Sequence, residues 1–392
     1  MNLDRAVNLD DLRRMAKRRL PQICYDFIEG GADGEEGLDR ATGAFQDYRI
    51  VPRFLVDVTQ RSQKTTLFGR EYASPFGIAP TGLAGLFRPG ADLMLAEAAR
   101  DADVPFIMSG TATASIEDLA RVAPEHGWYQ IYLARSWNVS EGMVQRARDA
   151  GLSTLVLTVD VPCTSNRERN VRNGFGRPLR MTMRTRLEAL LHPGWMMEYL
   201  RTGTPMFDNW APYARPGATA DEVADFVVQE SYPALTWDAV EKLRRLWPRN
   251  LVIKGIMHPD DALRAADLGV DGIMVSNHGA RQLDRAPAPI EALPSVVEAV
   301  GDRMTIMLDG GIRRGSDALI AHCLGAKMVF TGRATLYGAA AGGKAGVDKA
   351  LSILRREVDL AMAQMGCPAI DRLGPDFLMW DQPEDRRRNR RP

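Results

Sequence analysis

Eight short apolar runs, spaced by amphipathic stretches, repeat between residues 76 and 333. They read FGIAPTG, PFIMSG, WYQIYL, TLVLTVD, LVIKGI, GIMVSN, TIMLDGG and KMVFTGR. Val, Ile, Leu and Met fill them without strict polar alternation, the pattern of parallel strands buried on both faces. Helical patterns follow most of them, from DLMLAEAARDA to the long segment LYGAAAGGKAGVDKALSILRREVDLAMAQMG. Helix starts are marked, as at His258-Pro259-Asp260-Asp261, where proline and acids open a first turn. Strand–helix units repeated eight times predict an α/β fold of the (β/α)8 TIM-barrel type, with residues 1–392 as a single domain. An open doubly wound sheet would carry an early G-x-G-x-x-G. The only G-x-G here, Gly174-Phe175-Gly176, lacks both the third glycine and a preceding strand, and there is no P-loop.

Three segments fall outside the repeat. Residues 1–50 are expected to form a helical cap. Residues 161–235 form an excursion after the fourth strand, far longer than ordinary loops, and are expected to be a lid or a partner surface. The tail 381–392 is arginine-rich and reads as a solvated end.

Composition narrows the function. Lys+Arg and Asp+Glu balance at 50 each, so no global field points to nucleic acid. The four cysteines are scattered and form no C-x-x-C, so neither a zinc site nor a disulfide framework is expected, and a cytoplasmic setting fits. The first twenty residues are charged throughout, unlike a signal peptide. No stretch approaches the ~20 apolar residues of a membrane span, so membrane contact would be peripheral.

In barrel enzymes the chemistry sits at the C-terminal ends of the strands. Those positions are Thr81 and Gly82, Ser109, Gln130 and Tyr132, Thr158 and Asp160, Lys254, Ser276 and His278, Asp309, and Gly332 and Arg333. Each strand ends in a polar, charged or glycine residue, which makes a ring wide enough for a cofactor plus a substrate. LDGGIRRG and FTGR place glycines beside Arg313 and Arg333 at the last two strand ends, where barrels commonly hold phosphate. His278 is a candidate general base. Arg281, three residues on, can hold a carboxylate; Arg167 supplies a second such contact; Asp160 can orient the imidazole and stabilise its cation. The residues alone predict a phosphate-bearing cofactor, a small anionic substrate and an acid–base step.

The stretch SNHGARQLD closely resembles the SNHGGRQLD signature of the FMN-dependent L-2-hydroxy acid oxidase and dehydrogenase family. The likeness runs from CYDFIEGGA through APTG, YQIY, IKGI and LDGGIRRGSD to GRATLYG, and is greatest to the family's mandelate and lactate dehydrogenases. The resemblance implies FMN, with Pro80, Thr81, Gly82, Ser109, Gln130, Thr158, Lys254 and Ser276 around the ring and ribityl chain. Asp309, Gly311, Arg313, Gly332 and Arg333 would hold the ribityl and phosphate end. Lys254 would stabilise negative charge on the reduced ring. Arg167 and Arg281 would clamp the carboxylate of a small 2-hydroxy acid, Tyr25 and Tyr132 would hydrogen-bond the substrate, and His278 would take a proton.

Departures from the family pattern are Ala280 for the second signature glycine, Gly82 where many oxidases carry alanine, and Thr111 for a large tryptophan. Ala280 adds one methyl beside the base. Gly82 resembles the dehydrogenase members and implies a non-oxygen acceptor. Thr111 with Thr164 implies room for an aryl or branched side chain. The likeness to the mandelate and lactate dehydrogenases implies a mandelate- or lactate-like substrate and a quinone-type acceptor. The alternative is an oxidase that uses O2 and releases H2O2. The resemblance also implies a homo-oligomer, a tetramer. Segment 177–201 carries Arg180, Arg184 and Arg186 among Leu187, Leu190, Leu191, Trp195, Met196, Met197, Tyr199 and Leu200. It is expected to lie on the cytoplasmic face of an inner membrane as an interfacial segment.

Overall fold

Strands β1 (Phe76–Ile78), β2 (Phe106–Met108), β3 (Gly127–Ile131), β4 (Thr154–Thr158), β5 (Asn250–Ile256), β6 (Gly272–Val275), β7 (Thr305–Asp309) and β8 (Met328–Thr331) are the eight apolar runs of the sequence. They pair in parallel and in chain order, and β8 closes on β1. The computed structural model describes residues 2–176, 182–231 and 234–380; the tail 381–392 and Arg180 lie outside them, as does the side chain of Arg184. The chain is therefore a (β/α)8 barrel, with a helix such as Ala91–Asp101, Pro259–Asp267 or Pro289–Val300 packed outside between successive strands.

Period-two alternation along the strands builds the interior and then the site. Ile107, Trp128, Val156, Val252, Met274, Met307, Met328 and Phe330 form an inner apolar cluster. Their strand neighbours, such as Leu155, Ile253 and Leu308, belong to the outer cluster under the helices. Two residues beyond the inner layer, on the same face of each strand, come Ser109, Gln130, Thr158, Lys254, Ser276 and Asp309. The barrel is thus dry at mid-height and polar at its C-terminal mouth. Burying one residue such as Phe330 or Met307 stabilises by roughly 1.5–3 kcal/mol.

The opposite end is closed by a hairpin, Thr65–Leu67 paired with Arg70–Tyr72, whose Leu67, Phe68 and Tyr72 join the inner cluster. Phe68 lies 5.7 Å from Trp128, centroid to centroid. A second antiparallel pair joins Tyr48–Ile50 to Leu378–Trp380.

Ahead of the barrel come helices α1 (Leu9–Arg19), α2 (Gln22–Glu29) and α3 (Glu36–Gly43). Asn8 caps α1 by accepting from the Asp11 backbone N–H, and Leu9, Leu12 and Ala16 form its buried face. The excursion is helical: α4 (Glu168–Asn173), α5 (Met183–Ala189), α6 (Pro193–Thr202) and α7 (Ala220–Glu230). Two indoles fasten it to the barrel. Trp195 Nε1 donates to the Leu86 carbonyl and Trp210 Nε1 to the Gly110 carbonyl, each at 2.8 Å.

The long C-terminal segment, which reads as one amphipathic stretch, is two helices, α8 (Arg333–Gly342) and α9 (Lys344–Met365). Gly343 breaks it at φ +61°, a left-handed conformation that glycine adopts without steric cost. The break lets α8 fold back on α9 so closely that a Cβ on Gly338 would collide with the Gly346 carbonyl.

Candidate active site

The loop after β6 carries three successive left-handed residues, His278 (φ +57°), Gly279 (φ +63°) and Ala280 (φ +58°). Left-handed backbone costs a non-glycine residue roughly 1–2 kcal/mol. Here it turns the imidazole back over the barrel mouth. His278 Nδ1 lies 2.8 Å from Asp160 Oδ1, at the end of β4. Burial pushes the imidazole below its ordinary pKa, and the Asp160 carboxylate only partly opposes it. Burial would raise Asp160, but His278 and Lys254 outweigh it and hold the carboxyl below the usual range. The Asp160 bond places the ring proton on Nδ1, so Nε2 is left as the basic nitrogen at neutral pH.

A bulge in β5 makes room for this pair. Gly255 sits at φ +107°, at a register shift against β6, and a Cβ there would lie 2.7 Å from the Asp160 Cβ. The preceding residue, Lys254, turns into the mouth. Its Nζ donates to Ser276 Oγ at 2.7 Å and lies 3.1 Å from Asp309 Oδ2. Burial alone would lower the ammonium's pKa, but Asp309 and Asp160 outweigh it and raise it, so the charge persists in a dry setting.

These groups open onto one cavity of about 1160 Å³, lined by Pro80, Thr81, Gly82, Tyr132, Thr158, Arg167, Lys254, His278, Arg281, Asp309, Gly311, Arg313, Gly332 and Arg333. Among the described residues its lining carries five cations, Arg167, Lys254, Arg281, Arg313 and Arg333, and two acids, Asp261 and Asp309, with Asp160 behind His278. Ser109, Gln130 and Ser276 are buried in the wall behind it. Arg167 Nη2 donates to Gln282 Oε1 at 2.9 Å, and its Nε to the Arg281 carbonyl at 3.3 Å. Arg281 lies over the Phe27 ring, 4.9 Å from its centroid.

The sequence-based site departs from the structure at Tyr25 and Ala280. Tyr25 is not brought to the cavity. It is buried on the face of α2 that meets α1, with its hydroxyl 3.2 Å from Glu29 Oε2 and 3.3 Å from Arg13 Nη1. Phe27, two residues along and therefore on another face of the helix, lines the cavity instead. The methyl of Ala280 lies against Gly37 of α3 rather than in the cavity lining. Arg333 donates three N–H groups to backbone carbonyls, of Ile28, Gly279 and Gly30, each at 2.9 Å. Of the five that a guanidinium carries, those left over are available to an anion.

Other walls carried no clear signal in the sequence. Phe175 stacks on Phe27 with centroids 4.5 Å apart, and Val171, Trp210, Val227, Leu235 and Trp237 continue an apolar side. They come from the excursion and the helix after it. Their indoles and valines look like ordinary core until the fold brings them to the mouth.

The family model for FMN-dependent dehydrogenases matches residues 16–380. The chain belongs to the FMN-dependent dehydrogenase family. It is 40% identical to an (S)-mandelate dehydrogenase of Pseudomonas putida, over 95% of this chain and 93% of that one. A putative L-lactate dehydrogenase of Mycobacterium tuberculosis is 41% identical over 95% of this chain and 89% of its own. An L-lactate oxidase of a Nostoc species is 37% identical over 95% of this chain and 98% of its own. The crystal structure described as that of the monotopic membrane protein (S)-mandelate dehydrogenase superposes with a TM-score of 0.93, covering 96% of this chain and 100% of that one. The family joins hydroxy acid dehydrogenases with oxidases, and its cofactor is FMN.

The residues of this FMN-dependent dehydrogenase fit that cofactor. Thr81 Oγ1, Gln130 Nε2, Thr158 Oγ1, Asp309 Oδ1 and Thr331 Oγ1 are buried at the mouth with no hydrogen-bond partner among the described residues. Each such group costs about 1–3 kcal/mol if left unmet. A planar heterocycle edged with donors and acceptors, carrying a polyol chain, suits that set. At the other end, Gly310 and Gly311 have φ of +96° and +82°, and α8 opens at Gly332. Exposed backbone N–H groups and a helix N-terminus suit a phosphate. Among the described residues no helix is long and apolar enough to cross a membrane.

Proposed function

We propose that this protein oxidises an L-2-hydroxy acid of the mandelate or lactate type to the 2-oxo acid, with His278 as base and a quinone-type or other non-oxygen final acceptor. The observation that carries the reading is the 2.8 Å His278–Asp160 pair in the same cavity as Arg167, Arg281 and Lys254.

Bound FMN supplies a two-electron acceptor. The protein does the rest. Arg281 and Arg167 hold the substrate carboxylate by forked hydrogen bonds, which fixes the reacting carbon against His278. His278 Nε2 takes a proton from the substrate. Asp160, holding Nδ1–H, stabilises the imidazolium that results. Tyr132 lines the same pocket and orients the substrate oxygen. Lys254 keeps a fixed positive charge at the mouth, where negative charge develops. Phe27, Val171 and Phe175 give an apolar wall that favours an aryl or branched side chain.

Gly82 supports the non-oxygen acceptor. A Cβ at this position would collide with Thr111 Oγ1, so the space is kept by the pair. Oxygen uptake separates the two acceptor classes. Substrate-dependent reduction of a soluble quinone with negligible oxygen uptake supports the dehydrogenase. Stoichiometric H2O2 establishes the oxidase.

Peripheral membrane contact is part of the same reading. Met183, Leu187, Leu190, Leu191, Met197 and Leu200, on α5, α6 and the turn between them, are exposed, with basic residues among them. Such a surface suits the lipid interface. Trp195 has no part in it, because it is buried and stacked on Tyr199. A homo-oligomer is also proposed, with exposed Phe54, Leu55, Met379 and Trp380 as a second apolar surface.

A further inference from the structure

The carbonyl of Gly30 accepts from two arginines, Arg281 Nη1 at 2.8 Å and Arg333 Nη2 at 2.9 Å. The two cations come from different strand ends: Arg281 from the loop that carries His278, Arg333 from the start of α8. Gly30 is the C-cap of α2. The last carbonyls of a helix lack partners within it and carry partial negative charge. Here the two arginines are those partners. The Phe27 carbonyl takes an N–H of Arg281 at 2.7 Å, and the Ile28 carbonyl takes Arg333 Nε–H at 2.9 Å. Arg333 also reaches the carbonyl of Gly279, the residue after the base.

The seat is tight. A Cβ on Gly279 would lie 2.8 Å from Arg333 Nη1, and one on Gly31 would lie 2.9 Å from the Ala280 carbonyl. Ala32 N–H donates to that same Ala280 carbonyl at 3.0 Å. Within the turn, Glu29 fastens the cap to α8 itself. Its Oε2 accepts from Tyr337 Oη at 2.6 Å and Tyr25 Oη at 3.2 Å, and its Oε1 from Arg13 Nη1 at 3.3 Å. Tyr337 is buried and stands on the helix that Arg333 opens.

We propose that the turn Phe27–Gly30 couples the two halves of the site. An anion held at Arg333 and a carboxylate held at Arg281 each order the same turn, so each strengthens the binding of the other. Two ligands that require the same element to be ordered meet that cost once. Glu29 and Tyr337 are positioning residues in this scheme; they touch neither ligand and act through the turn. The inference rests on the proposed role of Arg281 as a carboxylate clamp.

The test is a linkage measurement on the full chain. FMN dissociation constants are read by flavin fluorescence with and without oxalate, a dicarboxylate that cannot be oxidised as a hydroxy acid. The wild type is expected to hold FMN about 5-fold or more tightly in oxalate. Tyr337→Phe keeps the packed ring and removes one bond to Glu29; Glu29→Gln weakens the whole cluster. Each is expected to bring the oxalate effect to within about twofold of none, and each raises KM for substrate more than it lowers kcat. An oxalate effect unchanged in both variants, or absent in wild type while oxalate still binds the FMN-loaded protein, overturns the coupling alone. Failure of oxalate to bind the FMN-loaded protein overturns the clamp and the coupling together.

Discussion

Gly255 leaves no room for a side chain beside Asp160: a Cβ there would come within 2.7 Å of the Asp160 Cβ and 2.8 Å of its Cγ. The glycine at φ +107° is what allows the carboxylate of one strand end to reach the imidazole of another. The acid–base pair is therefore set by backbone geometry as much as by the two titratable groups.

Gly255→Ala should accordingly disturb both stability and the pair. A residue forced into that backbone region costs on the order of 1–3 kcal/mol. Denaturant unfolding should show that loss, and the rate of flavin reduction should fall with it. An alanine variant with wild-type stability and rate would remove the bulge from the account.

The pH profile follows from the directions of the two shifts. His278 is held below its ordinary pKa of 6.5, so the neutral base is abundant at neutral pH and flavin reduction should weaken only as pH falls below that value. Asp160→Asn removes a group that raises the imidazole's pKa, so the acid limb should move to still lower pH. The plateau rate should drop by about 10²–10⁴-fold, because the imidazolium loses its stabilising carboxylate. Stability has the same sense. The unfolded chain binds the His278 proton more readily, so stability is lost as pH falls from 6.5 toward the folded value; the Asp160 contribution is lost lower still, as pH drops through its depressed pKa. Thermal melts between pH 7 and pH 4 read the His278 contribution, and melts carried below pH 3.8 read that of Asp160.

Gly82 and Thr111 should behave as a coupled pair. Gly82→Ala forces Thr111 to move and breaks its 3.2 Å contact with Ser109. Gly82→Ala combined with Thr111→Ala removes the collision. A double-mutant cycle on kcat/KM should show an interaction of about 0.5–3 kcal/mol, and additivity would contradict the packing described.

Membrane contact is tested by flotation with anionic vesicles. Leu187 and Leu191 are 62% and 77% exposed, so Leu187→Asp with Leu191→Asp removes apolar surface without opening the core. Binding should fall at least about tenfold, since insertion scales with buried apolar area, while activity on soluble substrate stays near wild type. Equal flotation of both proteins would move the contact elsewhere.

The barrel and most of its mouth were legible because both rest on local periodicity. Each strand shows as an apolar run, and its terminal polar residue shows as a break in that run. His278, Asp160 and Lys254 fell at such breaks, Arg281 and Arg167 were found in the loops that follow, and the structure gathers them at one cavity, with Asp160 behind His278. What escaped needs tertiary information. Tyr25 and Phe27 sit on different faces of one short buried helix, and only its docking against α1 decides which meets the cavity. The apolar wall from Phe175, Trp210 and Trp237 depends on how the excursion folds back. The hairpin Thr65–Leu67 with Arg70–Tyr72 and the pairing of Tyr48–Ile50 with Leu378–Trp380 use strands of three residues, too short for a periodic signal.

The most direct measurement is anaerobic mixing of the FMN-loaded protein with (S)-mandelate or L-lactate, following the visible flavin spectrum in wild type and in His278→Ala. Bleaching of the wild type by at least one of them is predicted, with the rate in His278→Ala lower by more than the ~10²–10⁴-fold typical of one acid–base group, because proton transfer and substrate orientation fail together. Near-normal bleaching of His278→Ala, or a wild type that neither acid bleaches, would contradict the account.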